Sequence, residues 1–350
     1  MQVTNRWAWV RRQETLLLVL VPAVIAVNLS LSPYVLQIDN LVNVFVTSIE
    51  ESVIALTMTF IIISGEIDLS VAAVLALCAC AFGWLYQNGV STPLAIVLTL
   101  GLGALCGAFN GMWIAYLGLP SLAVTLAGLI GYRGLAYAIL EDKSVESFPD
   151  WFTASGQNNI PGLPFPPTLL LFVGLFIVVF VVLHYSAFGR YIYAIGNNKE
   201  ASHFAGVKVR RIKWTLFTIS GLMAALAGLM FAARFGSVRA DDANGGELDI
   251  ITMVVFGGVS IFGGSGSLVG VGLSILIVLS LRNGMTLASM DGSVQTSVIG
   301  GLLVLSLLLP NVFHDARLTW RRLRHVPIVL ARKEEIGPAK TSPPNPLSTS

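Results

Sequence analysis

Residues 167–185 read PTLLLFVGLFIVVFVVLHY and contain no Asp, Glu, Lys or Arg. The hydrocarbon core of a bilayer is about 30 Å thick, so a helix of about 20 apolar residues crosses it. This stretch therefore predicts a transmembrane helix. The whole chain of 350 residues is 55% hydrophobic and 11% charged, with a mean hydropathy of +0.78. Water-soluble domains carry about 25% charged residues and disordered chains are polar, so both classes are excluded.

Comparable apolar stretches recur along the chain and predict an all-α, polytopic transmembrane helical bundle of about ten spans. We place the spans at 15–34, 43–64, 69–87, 93–117, 120–140, 167–185, 213–234, 248–262, 266–282 and 294–311. The stretches 248–262 and 266–282 are short, so one of them is compatible with a tilted or re-entrant segment. The chain then divides into an N-terminus (1–14), a transmembrane domain (15–312) and a basic, partly disordered tail (313–350).

Lys and Arg are concentrated in three regions, and this asymmetry predicts the orientation, because cytoplasmic loops carry an excess of both residues. The three regions are the N-terminus, the loop 186–213 and the tail. Ten spans place all three, and both termini, on the cytoplasmic side. Acidic residues are enriched in the opposite loops, at 141–150, 241–242 and 291. An odd number of spans would leave one basic cluster outside.

The sequence lacks the motifs that several kinds of catalytic and binding site require. No Gly-Lys dipeptide occurs, so the loop that cradles nucleotide phosphates is missing. The four His residues lack zinc-ligand spacing, and the three Cys residues lie within apolar runs, where they are predicted to pack. A net charge of +2 gives no indication of nucleic-acid binding. We therefore predict neither an enzyme nor a metal or other cofactor.

Polar side chains within the spans are candidates for function because they are costly in hydrocarbon. Hydroxyl and amide groups along a passage can replace the water that a polyol loses, although each on its own is more often a contact between helices. Arg133 must either pair or face water, near the acidic outer face or in a wet cavity. The candidates for a translocation pathway are Glu50, Glu51, Asn110, Thr125, Arg133 and Asn283.

Carboxylates that precede apolar runs have a structural explanation. Asp68 is predicted to cap the helix that follows it, by accepting hydrogen bonds from the free amides of the first turn. Glu247 and Asp249 are predicted to lie at a helix N-terminus, where negative charge suits the helix dipole.

The most specific local pattern lies in residues 186–212. Asn197 or Asn198 is predicted to cap a short helix of about two turns, and Gly206 to end it. Basic residues flank this helix on the cytoplasmic side. It is predicted to be either a docking element or a solvated surface helix.

This loop and several other blocks resemble the ribose-type branch of bacterial ABC importer permeases. Residues 200–206, EASHFAG, resemble the Glu-Ala-Ala…Gly coupling motif, with Ser202 for the second Ala and without the later Pro-containing part. Residues 65–70, GEIDLS, resemble the signature Gly-Gly-Ile-Asp-Leu-Ser, with Glu66 where Gly is usual. Further blocks at 110–134 and 247–284 match in order and spacing. The resemblance covers roughly residues 40–312.

The resemblance implies a permease subunit of the bacterial inner membrane, with residues 15–312 as the permease domain. The implied partners are a cytosolic ABC ATPase, a second copy or a homologous permease, and a periplasmic or lipid-anchored solute-binding protein. The implied solute is sugar-like, and Glu66 with Leu119-Pro120-Ser121 points to the rhamnose and autoinducer-2 group. The implied ATPase-coupling residues are Gly196, Asn197, Glu200, Ala201 and Gly206. The residues of the implied structural motifs are Gly65, Asp68, Ser70, Glu247, Asp249, Gly263 and Gly264.

Two other classes of function remain open at the level of sequence. An ion-coupled secondary transporter would use Glu50, Glu51 or Arg133 in a relay, but it has no need of a coupling helix between basic flanks. A polytopic membrane enzyme is disfavoured because no catalytic constellation is present.

Overall fold

The computed structural model describes residues 6–306, with side chains from residue 14 onward apart from residue 31. The helices are α1 (Arg6–Leu31), α2 (Ile38–Val46), α3 (Ile49–Ile63), α4 (Val71–Gln87), α5 (Thr92–Ala115), α6 (Ser121–Leu140), α7 (Asp150–Gln157), α8 (Pro167–Tyr185), α9 (Ala187–Asn197), α10 (Lys199–Phe204), α11 (Val209–Phe235), α12 (Gly246–Phe256) and α13 (Leu268–Leu287). A two-stranded antiparallel sheet joins β1 (Val145–Glu146) to β2 (Ser237–Val238). The last helix of the described part is a further apolar helix, Gly292–Ser306. The predicted tail, 313–350, lies outside the described residues.

The apolar helices confirm a helical membrane protein and give fewer full-length spans than the sequence suggests. Within residues 6–306, five helices are long and apolar enough to cross a membrane, namely α5, α6, α8, α11 and α13. A sixth crossing is added if α2 and α3, which meet at a bend of 54°, form one broken span. The apolar helices Glu14–Ser30, Val71–Gln87 and Gly292–Ser306 are shorter. Length and composition thus support five or six spans, and the ten expected from the sequence stay a prediction.

The predicted span 248–262 does not form one continuous helix. α12 has 11 residues and ends at Phe256, where a glycine-rich loop begins. Gly258, Gly263 and Gly264 have positive φ angles of 88°, 81° and 73°, which favour glycine and end helical continuity. Gly257 packs so closely that a Cβ atom would lie 2.6 Å from the Cα of Val271. Apolar composition alone overestimates this helix because its loop is also apolar.

The buried centre consists of α3, α4 and α11. Every residue from Val71 to Gly83 in α4 is buried. α5 packs directly on α11, since a Cβ at Gly107 would lie 2.1 Å from the carbonyl oxygen of Phe217. Small residues of this kind let membrane helices approach closely. α6 and α8 are exposed along most of their length, as expected for helices that face lipid.

Ion pairs at both ends of α11 fix its direction relative to α3. Arg234, in the last turn of α11, pairs with Glu50 in the first turn of α3. Lys213, near the start of α11, pairs with Glu66, which follows α3. The two helices are therefore antiparallel.

The directions of α12 and α13 follow in the same way. Arg282, near the end of α13, contacts both Glu51 at the start of α3 and Asp249 at the start of α12. The loop after α12 meets the turn after α3, because Gly264 N–H donates to Ile63 O at 2.8 Å. α3 and α12 therefore run in the same direction, and α13 returns beside them.

Candidate functional site

The segment α9–α10, residues 187–204, contains most of the residues predicted to couple to an ATPase. Ser186 caps α9 by accepting from Gly189 N–H at 3.2 Å, and Asn198 caps α10 by accepting from Ala201 N–H at 2.9 Å. The predicted short helix is thus confirmed, with Asn198 as its cap. Glu200 is exposed in the first turn of α10, where its charge suits the helix dipole.

Gly206 ends the turn that follows α10. Its φ angle is +84°, a conformation that glycine adopts without steric cost. Its N–H donates to His203 O, and Val207 N–H donates to Ser202 O, each at 3.0 Å. These bonds satisfy carbonyls that the helix end would otherwise leave free. The turn holds α10 as a compact, exposed projection, of which Phe204 is 88% exposed.

Gly196, at the base of this projection, lies against two other parts of the chain. A Cβ atom at Gly196 would lie 1.8 Å from Ile63 O and 2.5 Å from Gly264 N. Only glycine permits this approach, because both obstacles are backbone atoms. The end of α9 therefore touches the turn after α3 and the loop after α12 at one point, which we call the glycine joint (Ile63, Gly65, Gly196, Gly263, Gly264).

Hydrogen bonds hold α9 to the loop after α12. Asn197 Nδ2 donates to Gly264 O at 3.3 Å and to Tyr193 O at 2.8 Å. The Tyr193 hydroxyl donates to Gly266 O at 2.8 Å. Burial raises the pKa of Tyr193 to about 12, so this phenol stays neutral and keeps its donated proton. Two of the predicted coupling residues, Gly196 and Asn197, thus contact the predicted motif glycines Gly263 and Gly264.

The turn between α3 and α4 contains Asp68, which is 2% exposed. The prediction that Asp68 caps the first-turn amides of α4 is wrong. Its Oδ1 accepts from the N–H (3.0 Å) and hydroxyl (2.6 Å) of Ser70, the residue before α4, and its Oδ2 accepts from the Ser220 hydroxyl at 3.1 Å. Asn110 Nδ2 donates to Ser70 Oγ at 2.9 Å, and Tyr132 donates to Asn110 Oδ1 at 2.8 Å. A chain of hydrogen bonds from α5, α6 and α11 therefore converges on this turn.

The same turn makes two further contacts. Glu66 pairs with Lys213, which is 4% exposed, and so neutralises a buried ammonium. Glu66 is also the residue that departs from the signature Gly-Gly-Ile-Asp-Leu-Ser. Thr125, on α6, donates to Ile67 O at 3.4 Å and to Ser121 O at 2.8 Å. The turn 64–70 is thus fixed by α6 and α11 on one side and by the glycine joint on the other.

Two ion clusters lie at the ends of α3, α11, α12 and α13 that are far from the glycine joint. One consists of Glu50 and Arg234, and the other of Glu51, Asp249 and Arg282. Arg234 binds Glu50 through two hydrogen bonds, of 2.8 and 3.0 Å. Arg282 binds Glu51 at 3.2 Å and Asp249 at 2.5 Å. Each carboxylate predicted to lie along a pathway is therefore paired with an arginine, which removes much of the cost of burying it.

Sequence reasoning missed Arg234, Arg282 and Lys213 as partners. Arg234 and Arg282 lie at the ends of apolar stretches on the side where loops are acidic, a position that the positive-inside rule does not predict. This departure from the rule is a signal that the sequence does contain. An arginine on the side where few basic residues are expected indicates an ion pair with a buried carboxylate. Lys213 gave no comparable signal, because it continues the basic flank of the loop 186–212.

Arg133 fastens α6 to the loop after α11. Its Nη1 donates to Ala240 O at 2.8 Å and to Asp242 O at 2.6 Å. Burial raises the pKa of the Asp242 carboxyl above its ordinary value, although the hydrogen bond that this carboxyl accepts from the Arg239 N–H acts to lower the pKa. Glu247, in the first turn of α12 with Asp249 as predicted, lies close enough to interact electrostatically with Arg133.

The predicted pathway residues do not converge on one cavity in the described part of the chain. Glu50 and Glu51 belong to the ion clusters, and Arg133 belongs to the loop after α11. Asn283 exchanges two amide hydrogen bonds with Asn40, of 3.1 and 3.0 Å, and so joins α13 to α2. Asn110 lines a groove of about 670 Å³ between α5 and α6 that is walled by Phe109, Trp113 and other apolar side chains.

Comparison with known proteins places this arrangement in a family. The family model described as "Branched-chain amino acid transport system / permease component" matches residues 40–307. The autoinducer 2 import system permease protein LsrD of Klebsiella pneumoniae subsp. pneumoniae is 36% identical over 319 residues, which are 89% of this chain and 96% of the relative. The LsrD proteins of Enterobacter sp. (strain 638) and Escherichia coli (strain K12) are 35% and 33% identical, over 83% and 85% of this chain and 90% and 91% of their own lengths. No solved structure matches the chain.

The family model spans most of the chain, and the relatives are matched over nearly their whole length. These findings agree with the blocks at 65–70, 110–134, 200–206 and 247–284, and they confirm the resemblance to importer permeases. The chain belongs to the family of permease components of branched-chain amino acid transport systems.

Proposed function

We propose that this chain is the membrane-spanning permease subunit of an ATP-binding cassette importer that moves autoinducer-2, or a similar sugar-like solute, across the bacterial inner membrane. The relatives are named autoinducer 2 import system permeases, and this supports the solute class. A rhamnose-type solute has no comparable support, because no relative described above carries that name. The family supports transport rather than catalysis as the activity of the chain itself.

The observation that carries this proposal is the glycine joint. α10 projects beyond it with Glu200 and Ala201 exposed, where a cytosolic ATPase can dock. A movement of α10 would pass through Gly196 and Asn197 to the turn after α3 and to the loop after α12. The turn lies between α3 and α4, and the loop lies between α12 and α13. Closure of the ATPase would thereby switch the permease between outward and inward access.

The proposal includes ten crossings with both termini in the cytoplasm. α12 and its glycine loop together reach from the ion clusters to the glycine joint, so they count as one crossing despite the short helix. Non-helical backbone at membrane depth is tolerated where protein surrounds it, as α3 and α13 do here. α1, α4 and the helix that begins at Gly292 supply the other short crossings.

For the pathway itself we propose the groove between α5 and α6, completed by a second copy of this chain or by a homologous permease. Asn110 lies within the hydrogen-bond chain behind this groove, and Thr125 donates to Ile67 O in the turn 64–70. The other predicted pathway residues each pair or hydrogen-bond with a partner within the protein, and we propose that they hold in place the helices around the pathway. These residues are Glu50, Glu51, Arg133 and Asn283. A periplasmic or lipid-anchored solute-binding protein would deliver the solute and set its identity.

Affinity purification in mild detergent, followed by reconstitution, tests the proposal. We expect an ATPase to co-purify, and we expect labelled autoinducer-2 to enter vesicles only with the solute-binding protein and ATP. An ion-coupled carrier, the alternative, would transport without an ATPase and would stop when ion gradients collapse. That outcome would overturn the proposal.

A further inference from the structure

A second cavity, of about 480 Å³, lies beside the coupling segment. It opens between α9, the connection from α10 to α11, and the first turns of α11. Phe188, Tyr191 and Ile212 form an apolar wall, the backbone of Gly206 forms part of the rim, and Lys208 and Arg211 supply two positive charges. We call this cavity the basic pocket.

Within the described residues, no carboxylate balances the charge of the basic pocket. None of the residues that line it is acidic. Glu200 is the only acidic residue between 186 and 212, whereas Arg190, Lys199, Lys208, Arg210 and Arg211 are basic. In the part of the chain that the structure describes, no ion pair forms at Lys208 or Arg211, and both are exposed. By contrast, the buried Lys213 and the half-buried Arg234 are each paired with a carboxylate.

The position of the basic pocket indicates the border of the bilayer. α8 ends at Tyr185 and α11 begins at Val209, so the pocket lies at the level where two apolar helices end. Tyr185 and Tyr191 are 72% and 44% exposed, and exposed aromatic rings of this kind are typical of the membrane–water interface. With the border of the bilayer at this level, one wall would face acyl chains and the opposite rim would face water.

We propose that the basic pocket binds the headgroup of an anionic phospholipid. The phosphate lies between Lys208 and Arg211, and the upper acyl chain lies against Phe188 and Ile212. Two cations beside an apolar wall suit a molecule that is anionic at one end and apolar at the other. A free phosphate would leave the apolar wall unused, and an ATPase surface would lie further from the bilayer, at the tip of α10. The lipid would fix the base of the coupling segment to the membrane surface.

Native mass spectrometry of the purified protein tests this inference. The protein is titrated with phosphatidylglycerol and, separately, with phosphatidylcholine of the same acyl chains. We expect tighter binding of phosphatidylglycerol, weakened about fivefold for each charge removed in the Lys208→Gln and Arg211→Gln variants. The matched control is Arg210→Gln, which removes an exposed charge beside Arg211 that does not line the pocket. The control should bind phosphatidylglycerol as the parent protein does.

Four results would overturn the inference. Equal affinity for the two lipids, or an equal loss in Arg210→Gln, would show only diffuse surface charge. Displacement of the lipid by inorganic phosphate would show a site for free phosphate. Unchanged lipid binding in a variant that carries both Lys208→Gln and Arg211→Gln, together with loss of a co-purified ATPase, would assign the pocket to the ATPase interface. Lipid binding requires neither solute nor ATP. The result of this test is therefore independent of whether the proposed function is correct.

Discussion

At the scale of single residues, Gly196 has less room for an added methyl group than any other glycine that the structure describes. A Cβ there would lie 1.8 Å from Ile63 O, and overpacking of this kind costs about 1–3 kcal/mol or more. We predict that Gly196→Ala separates α9 from the glycine joint, lowers the free energy of unfolding by at least that amount and abolishes solute uptake. Thermal unfolding in detergent and uptake into vesicles measure the two effects.

Gly174→Ala is the matched control for this substitution. Gly174 is an exposed position in α8, where a Cβ would meet no atom within 4 Å. Alanine is also the better helix former, by about 1 kcal/mol. Stability and uptake should therefore be unchanged or slightly raised. Normal uptake by Gly196→Ala would show that the glycine joint does not transmit coupling.

At the scale of elements, Arg282 ties α13 to both α3 and α12. We predict that Arg282→Met lowers the free energy of unfolding by about 3–5 kcal/mol, because Glu51 and Asp249 are left as buried carboxylates without a cation. Arg282→Lys should recover only part of this loss, since an ammonium cannot fork between two carboxylates as a guanidinium does. Chemical unfolding in detergent measures the series.

The control for Arg282 is the exposed pair Lys143–Glu141. Both of these side chains are more than 70% exposed, at 77% and 73%, and exposed ion pairs contribute about 0–1 kcal/mol. Lys143→Met should therefore leave stability nearly unchanged. A loss of similar size in Lys143→Met and Arg282→Met would indicate a general effect of charge, and the cluster would then not be what holds the three helices together.

The elements that could be predicted from sequence are those set by local patterns. The stretch 167–185 coincides with α8, and Asn198 and Gly206 begin and end the turn of α10, because hydrophobic length and capping chemistry are local properties. α12 was overestimated because apolar composition does not distinguish a short helix from an apolar glycine loop. The partners of Glu50, Glu51 and Glu66 lie 147 or more residues away in sequence, and no local pattern specifies them.

At the scale of the whole molecule, the buried ion pairs are unevenly distributed along the bundle: the arginine–carboxylate clusters lie at one end, and the Lys213–Glu66 pair lies at the end with the glycine joint. The ion clusters fix one end of α3, α11, α12 and α13, and the glycine joint meets the coupling segment at the other. Paired buried charges are costly to separate, whereas backbone contacts between glycines carry no charge. We therefore expect motion from α10 to rearrange the end with the glycine joint more than the end with the ion clusters.

This asymmetry makes Glu200 the most informative site for testing the whole assembly. Glu200 is exposed in α10 and makes no ion pair within the described residues, so its reversal should not disturb the fold. We predict that Glu200→Lys abolishes solute uptake and retention of the ATPase, while membrane insertion remains normal. Glu146→Lys, the same reversal at an exposed position of β1, should retain the ATPase. Retention of the ATPase by both variants, measured by co-purification, would place the docking surface elsewhere, because a reversed charge at the tip of a true docking helix repels its partner.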